Sequence, residues 1–171
     1  VITHGTDTIE ETAYLLQALL RPSKPVVLTC AMRPATALVP DGPQNLSDAV
    51  AVALHPFAQG VVVVCAGRIH GAVDVAKVHP YRTDPFDSGD AGMLGCVEEG
   101  EVRMFRNWPP AVSQGTHDGS GLARFKDAVA LPRVELMFSH AGADGALVRA
   151  LLSHTPSDLA SLRGIVVAGT G

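Results

Sequence analysis

Two hydroxyl groups and a carboxylate lie side by side near the start of the chain, at Thr6, Asp7 and Thr8. A hydroxyl attacks an amide carbon once a neighbouring base or positive charge activates it, and a carboxylate pairs with an ammonium group. Lys77 is the amine available for activation, since a partly buried lysine acts as a base or as a cation beside an alkoxide. Together these residue types suit a small zwitterion that carries an amide.

The flanking pattern predicts that this triplet lies at the rim of a sheet. Val1 and Ile2 are expected to end a strand, and the apolar residues of 9–20 recur with a helical period. Thr8 and Glu11 have the spacing of a capping box, and a Thr-Asp-Thr run before a helix is more often a cap than a site. In open α/β sheets, however, ligands bind where strands end and helices begin.

Four segments resemble the bacterial-type L-asparaginase/glutaminase family, and the resemblance covers essentially the whole chain. The first is similar to the second signature of that family, and the others are similar to segments that follow it. In order they are His4-Gly5-Thr6-Asp7-Thr8-Ile9-Glu10-Glu11-Thr12-Ala13, Cys30-Ala31-Met32-Arg33-Pro34, Asp41-Gly42-Pro43-Gln44-Asn45-Leu46 and Asp74-Val75-Ala76-Lys77.

The resemblance implies an L-asparagine amidohydrolase, which converts asparagine to aspartate and ammonia, with glutamine as a second candidate substrate. It implies a catalytic role for Thr6, an activating role for Lys77, and a role for Asp7 in binding the substrate ammonium group. Thr6 is also expected to contact the substrate. The family assembles as homodimers or homotetramers, and the same is expected here. The first family signature, Thr-Gly-Gly-Thr-Ile, holds the threonine usually taken as the primary nucleophile of the family, and it is not part of this sequence. Thr6 is therefore the catalytic threonine that this part of the site offers.

The order of apolar segments predicts an α/β fold with an open, mostly parallel sheet, helices on both faces and a terminal hairpin. A truncated N-terminal domain is expected over residues 1–108, a linker rich in Pro, Gly and Ser over 109–131, and the start of a smaller α/β domain over 132–171. The predicted elements are strands at 24–30, 60–66, 134–138 and 164–168, helices at 45–54 and 145–152, and a hairpin at 95–105.

Both ends are expected to cut through a fold, so that the chain would be an internal piece of a longer protein and inactive alone. A cytoplasmic protein is expected, with the periplasm as the alternative.

Composition argues against several classes of protein. A net charge of −4 without a basic cluster predicts no nucleic-acid partner. The longest apolar run, 60–66, is too short to cross a bilayer, so no membrane partner is expected. Cys30, Cys65 and Cys96 are far apart and form no metal-binding pattern, and the first two are expected to be buried free thiols. No pattern predicts a metal, a nucleotide or another cofactor.

Other interpretations keep the fold and change the function. One is an asparaginase-like subunit of a tRNA-dependent amidotransferase, and another is a catalytically dead homologue that binds an amino acid. A nucleotide-binding domain is disfavoured because no predicted strand is followed by a phosphate-cradling glycine loop. Of the remaining polar residues, His4 is expected to orient the loop or to pack beside it, and Arg33 to bind loop carbonyls or Asp41.

Overall fold

The structure is a computed structural model that describes residues 1–20, 22, 24–109, 130–153 and 160–170. The chain divides into two units, Val1–Ala123 and Arg124–Gly171. Each unit combines strands with helices, which confirms the predicted α/β class. The predicted linker, 109–131, lies almost wholly outside the described residues.

Within the described part of the first unit, six strands form one sheet in the order β1-β2-β3-β4-β7-β8. The first three strands are parallel, and each later neighbour pairs antiparallel, so the expected mostly parallel sheet is a mixed one. A small separate antiparallel sheet joins β5 to β6. The strands are β1 (Ile2–Thr3), β2 (Val26–Thr29), β3 (Val61–Cys65), β4 (Arg68–Gly71), β5 (Ala76–Lys77), β6 (Phe86–Asp87), β7 (Gly95–Glu98) and β8 (Glu101–Met104).

Helices α1 (Ile9–Leu19) and α2 (Gly42–Leu54) cover opposite faces of the large sheet. Side chains of a strand alternate between the two faces of a sheet, so the buried residues of β3 contribute to two separate hydrophobic cores. The α1 core contains Ile9, Ala13, Leu28, Val61 and Val63. The α2 core contains Ala49, Val52, Val27, Val62 and Val64. This arrangement confirms the prediction of helices on both faces.

Two tight hairpins lie in the antiparallel half of the sheet. The predicted hairpin is confirmed, since β7 and β8 are joined by Glu99 and Gly100, which have φ values of 53° and 82°. The other hairpin was not predicted: Ala66 and Gly67, with φ values of 52° and 71°, turn β3 back into β4. Positive φ at both turn positions is the geometry of type I′ hairpins, which Asn-Gly usually signals and Ala-Gly does not.

Helix α1 begins at Ile9, as predicted, but its predicted cap is not formed, and α2 begins earlier than predicted. The capping box is wrong: in the described structure the Thr8 side chain makes no cap hydrogen bond, although its carbonyl accepts from the Thr12 N–H at 3.1 Å. The backbone of Thr8, at φ −125° and ψ 12°, lies outside the extended region that aims a hydroxyl at the first helical N–H groups. Helix α2 begins at Gly42 rather than at Asn45, because Pro43 is tolerated in a first turn.

In the second unit, β9 (Arg133–Phe138) and β10 (Leu162–Ala168) pair in parallel, and α3 (Ala146–Ser153) lies between them in sequence. This strand–helix–strand order confirms the predicted elements to within two residues at each end. Of the helices that the described residues form, none has the length and apolar character needed to cross a bilayer.

Candidate active site

Thr6 lies in the short loop that connects β1 to α1, at the carboxyl end of the parallel strands, and is half-buried. The loop is fixed at its start, where the His4 N–H donates to the Thr29 carbonyl of β2 at 2.8 Å. The His4 ring lies between the loop and the helix, with Nδ1 2.8 Å from the Gly5 carbonyl and Nε2 2.9 Å from Thr12 Oγ1. A carbonyl only accepts, so Nδ1 donates to the Gly5 carbonyl, while Nε2 bonds to the Thr12 hydroxyl. His4 therefore orients the loop, as predicted.

Lys77, on β5, reaches this loop from the far part of the chain. Its Nζ donates to Thr6 Oγ1 at 2.8 Å and to Asp7 Oδ1, with which it also forms an ion pair. The Lys77 side chain is 15% exposed, whereas that of Asp7 is 87% exposed. The structure thus brings all three predicted site residues together, with the amine on the protein side and the carboxylate on the solvent side.

The electrostatics of this group follow from the lysine. The hydrogen bond from the Lys77 ammonium, followed by its charge, holds the pKa of Asp7 below its ordinary value of 3.8. Asp7 is therefore a carboxylate at neutral pH. A cation 2.8 Å from the Thr6 oxygen lowers the cost of forming an alkoxide there, which is what a hydroxyl needs before it can act as a nucleophile.

A polar cluster joins the ends of β2 and β3. The buried Asn45 side chain, at the start of α2, donates to the Cys30 carbonyl at 2.9 Å and accepts from the Ala66 N–H at 2.9 Å. Thr29 Oγ1 donates to the Val64 carbonyl at 2.8 Å. These bonds satisfy the backbone groups that the two strands leave unpaired where they end.

The loop after β2 is closed by Asp41, whose carboxylate accepts the N–H groups of Met32 and Arg33, each at 2.9 Å. Burial alone would raise the pKa of Asp41, but these donors and the Asn45 amide hold it below 3.8. The Arg33 guanidinium donates to the Val39 carbonyl at 3.0 Å, which confirms its predicted structural role.

Glu10 is a residue that sequence reasoning missed. Its Oε2 accepts the backbone N–H of Lys77, 67 positions along the chain. In the sequence, Glu10 is one of two consecutive glutamates in the first turn of a helix, where acidic residues are common for electrostatic reasons alone. The capping-box spacing drew attention to Glu11, and no local pattern marks Glu10.

Two cavities of the first unit lie elsewhere. One of about 580 Å³ is lined by Gln17, Asp74, Arg106 and Trp108 among others, and one of about 410 Å³ by Asp41, Asn45 and Asp48 among others. Among the described residues, Thr6 lines neither cavity. No group of three or more His, Cys, Asp or Glu residues within that described part could hold a metal ion.

Comparison with known proteins identifies the family. The family model described as "Asparaginase, N-terminal" matches residues 1–110. The chain belongs to the asparaginase family. A probable periplasmic L-asparaginase of Haemophilus influenzae is 37% identical over 100% of this chain and 46% of its own length. The glutaminase-asparaginase of Pseudomonas fluorescens biotype A is also 37% identical, over 100% of this chain and 44% of its own.

A solved asparaginase structure is similar to this chain in both fold and sequence. The crystal structure of a probable cytoplasmic L-asparaginase from Campylobacter jejuni matches with a TM-score of 0.82 and 40% identity, covering 99% of this chain and 52% of the other. The chain therefore spans about half the length of the asparaginases that it matches. The names of these relatives place asparaginases both in the cytoplasm and in the periplasm.

Proposed function

We propose that the full-length protein hydrolyses the side-chain amide of L-asparagine to aspartate and ammonia. The observation that carries the proposal is the 2.8 Å contact between Lys77 Nζ and Thr6 Oγ1, with Asp7 paired to the same amine. The names of the relatives support asparagine as the substrate, and one of them, a glutaminase-asparaginase, supports glutamine as a second one. We further propose that residues 1–108, 109–131 and 132–171 belong to two domains and their linker.

Thr6 would act as the catalytic hydroxyl. Its oxygen attacks the amide carbon while the Lys77 ammonium stabilises the developing alkoxide, and the proton that the hydroxyl gives up passes to the amide nitrogen, which leaves as ammonia when the C–N bond breaks. Water then hydrolyses the resulting ester and releases aspartate. Lys77 serves both steps, because it faces the same oxygen when the ester forms and when it breaks.

Asp7 would bind the α-ammonium group of the substrate. Its Oδ1 is held by Lys77, and the large exposed fraction of the side chain leaves its outer side open to a second cation. The family resemblance also leads us to propose a homodimer or homotetramer.

The test is ammonia release from asparagine and glutamine by the full-length protein. Thr6→Val and Lys77→Met should each lower kcat by roughly 10²-fold or more, the usual effect of losing a positioned acid–base group. Thr8→Val is the matched control: Thr8 is an exposed hydroxyl two positions away that makes no cap bond in the described structure, so activity should be retained. The 171-residue chain alone is expected to release no ammonia.

Three outcomes would overturn the proposal. Full activity in Thr6→Val would show that the Thr6 hydroxyl is not catalytic. Binding of asparagine without turnover would indicate a dead amino-acid-binding homologue. Ammonia formation only in the presence of an aminoacylated tRNA and a partner protein would indicate an amidotransferase subunit.

A further inference from the structure

The strand that carries Lys77 has one edge free of strand partners among the described residues. β5 pairs only with β6, in a sheet of two strands. The Val78 N–H points towards β6, because it donates to the Pro85 carbonyl at 2.8 Å. Successive N–H groups of a strand point to opposite edges, so the Lys77 N–H points away from β6.

Glu10 fills this free edge. Its Oε2 accepts the Lys77 N–H, in a part-buried contact between α1 and β5. Glu10 is also only four positions after Thr6, in the first turn of the helix that follows the Thr6 loop. One end of α1 is thus bonded to the backbone of Lys77 while the loop before it is bonded to the amine of the same residue.

We propose that Glu10 is a positioning residue that fixes the backbone of Lys77 relative to the Thr6 loop. The inference rests on the proposed function and deepens it. A lysine amine lies at the end of a flexible four-carbon stem, so contacts at the amine alone leave its backbone free to shift. An anchored backbone restricts the stem to those rotamers that reach Thr6 Oγ1. Catalytic rates are sensitive to this placement, since an error of about 1 Å can cost roughly 10²-fold.

Glu11 supplies the matched control, because the chain places the same residue type in the same helical turn. Glu11 is exposed, whereas Glu10 is half-buried and bonded to β5. Any general effect of removing a negative charge from the start of α1 is therefore shared by Glu10→Ala and Glu11→Ala. Only the first substitution removes the bond to Lys77. Glu10→Gln keeps an oxygen acceptor at the same position without the charge.

The experiment measures kcat and KM for asparagine in the full-length protein. Glu10→Ala should lower kcat by roughly tenfold or more, with KM changed less than threefold and the thermal midpoint close to that of Glu11→Ala. Glu10→Gln should recover most of the lost kcat, and Glu11→Ala should behave as wild type. In a Lys77→Met background, Glu10→Ala should cause no further loss, because a residue that acts through Lys77 has nothing left to position.

Hydrogen–deuterium exchange provides a readout that does not depend on activity. The Lys77 amide should exchange slowly in the wild type, in Glu11→Ala and in Glu10→Gln, and faster in Glu10→Ala. Unchanged kcat in Glu10→Ala, or an equal loss in Glu11→Ala, would overturn the inference while leaving the proposed function intact. Absence of turnover in the wild type would instead overturn the proposed function. The exchange data alone would then decide whether Glu10 fixes the backbone of Lys77.

Discussion

The amine of Lys77 bonds two oxygen atoms of very different exposure, the half-buried Thr6 hydroxyl and the carboxylate of Asp7. This difference in exposure explains why the neighbouring residues Thr6 and Asp7 can have separate functions. Thr6 faces the amine from the protein side, where a charge acts strongly on it. Asp7 keeps its outer side in water, where a substrate can exchange with solvent.

Asp7→Asn tests this division. The variant loses the charge that would pair with a substrate ammonium group, so KM for asparagine should rise by about 10-fold to 100-fold, the range expected for a charge-assisted hydrogen bond. Because the pKa of Asp7 lies below 3.8, the wild-type carboxylate stays charged until the pH falls below that value. Measured between pH 5 and 8, the ratio of the two KM values should therefore stay constant. A ratio that changes across this range would contradict the assignment.

His70 leads to a prediction about stability. Burial, followed by the charge of Arg68, lowers the pKa of His70 below its ordinary value of 6.5. Its Nδ1 lies 2.8 Å from Ser88 Oγ, and Nε2 is buried without a hydrogen-bond partner in the described structure. The unfolded chain takes up a proton near pH 6.5, which the folded chain resists, so this contribution to folding stability is complete above that pH and declines below it.

Urea unfolding at pH 7.5 and pH 5.5 measures the effect. The wild-type midpoint should fall on acidification, and His70→Gln should show a smaller fall. His140→Gln, which replaces an exposed histidine, is the control and should keep the wild-type difference. An identical fall in wild type and His70→Gln would assign the pH dependence to other groups.

Strand pairing in the antiparallel half depends on a close approach at Gly95. A Cβ at Gly95 would lie 2.3 Å from the Arg103 carbonyl oxygen and 3.0 Å from the Met104 Cα, both backbone atoms of the neighbouring β8. Backbone cannot move aside as a side chain can. Gly95→Ala should therefore lower the free energy of unfolding by about 1–3 kcal/mol, the usual cost of overpacking.

Chemical denaturation followed by circular dichroism measures the loss. Gly169→Ala is the comparison, because a Cβ there would meet nothing within 4 Å. Equal stability of the two variants would show that β7 and β8 can separate to admit the methyl group.

The helices and strands that the sequence predicts are those with a clear local period. Helix α1 and the fully apolar β3 were both found, because 3.6-residue recurrence and a run of valines are visible in short windows. Strand β4 was missed because Ala66 and Gly67 give no usual turn signal. The capping box was wrong because spacing does not fix the backbone angles of Thr8.

The site follows the same rule. Thr6 and Asp7 were identified from adjacent residues, and the structure brings Lys77 to them as the family resemblance implied. Glu10 was missed because its partner is a backbone N–H on another element, and a backbone N–H has no sequence signature. The hydrogen bonds by which Asn45 links the ends of β2 and β3 were not predicted for the same reason, since these partners are backbone groups.

The parallel register across the molecule places two thiols side by side. Thr29 pairs with Val64, so the next residues are neighbours: Cys30 follows β2 directly and Cys65 ends β3. Both are buried free cysteines, as predicted. Contact with Cys30, followed by burial, raises the pKa of Cys65, which keeps this thiol protonated at neutral pH. Cys96 lies on β7 and is only partly buried.

Alkylation of the native protein by iodoacetamide at pH 8, read by peptide mass spectrometry, should therefore modify Cys96 first. Cys30 and Cys65 should react only when the protein unfolds, because both thiols are buried and a thiol must be reachable to react. Modification of Cys65 as fast as Cys96 under native conditions would show that the ends of β2 and β3 open readily.

The distance along the chain between the two members of the Thr6–Lys77 contact has a consequence for protein synthesis. The hydroxyl leaves the ribosome 71 residues before the amine, so the contact cannot form until Lys77 has been synthesised. A nascent or prematurely terminated polypeptide that stops short of Lys77 would carry the recognisable Thr-Asp-Thr sequence without its activating cation. Under the proposed function, such an incomplete polypeptide cannot hydrolyse the asparagine that protein synthesis requires.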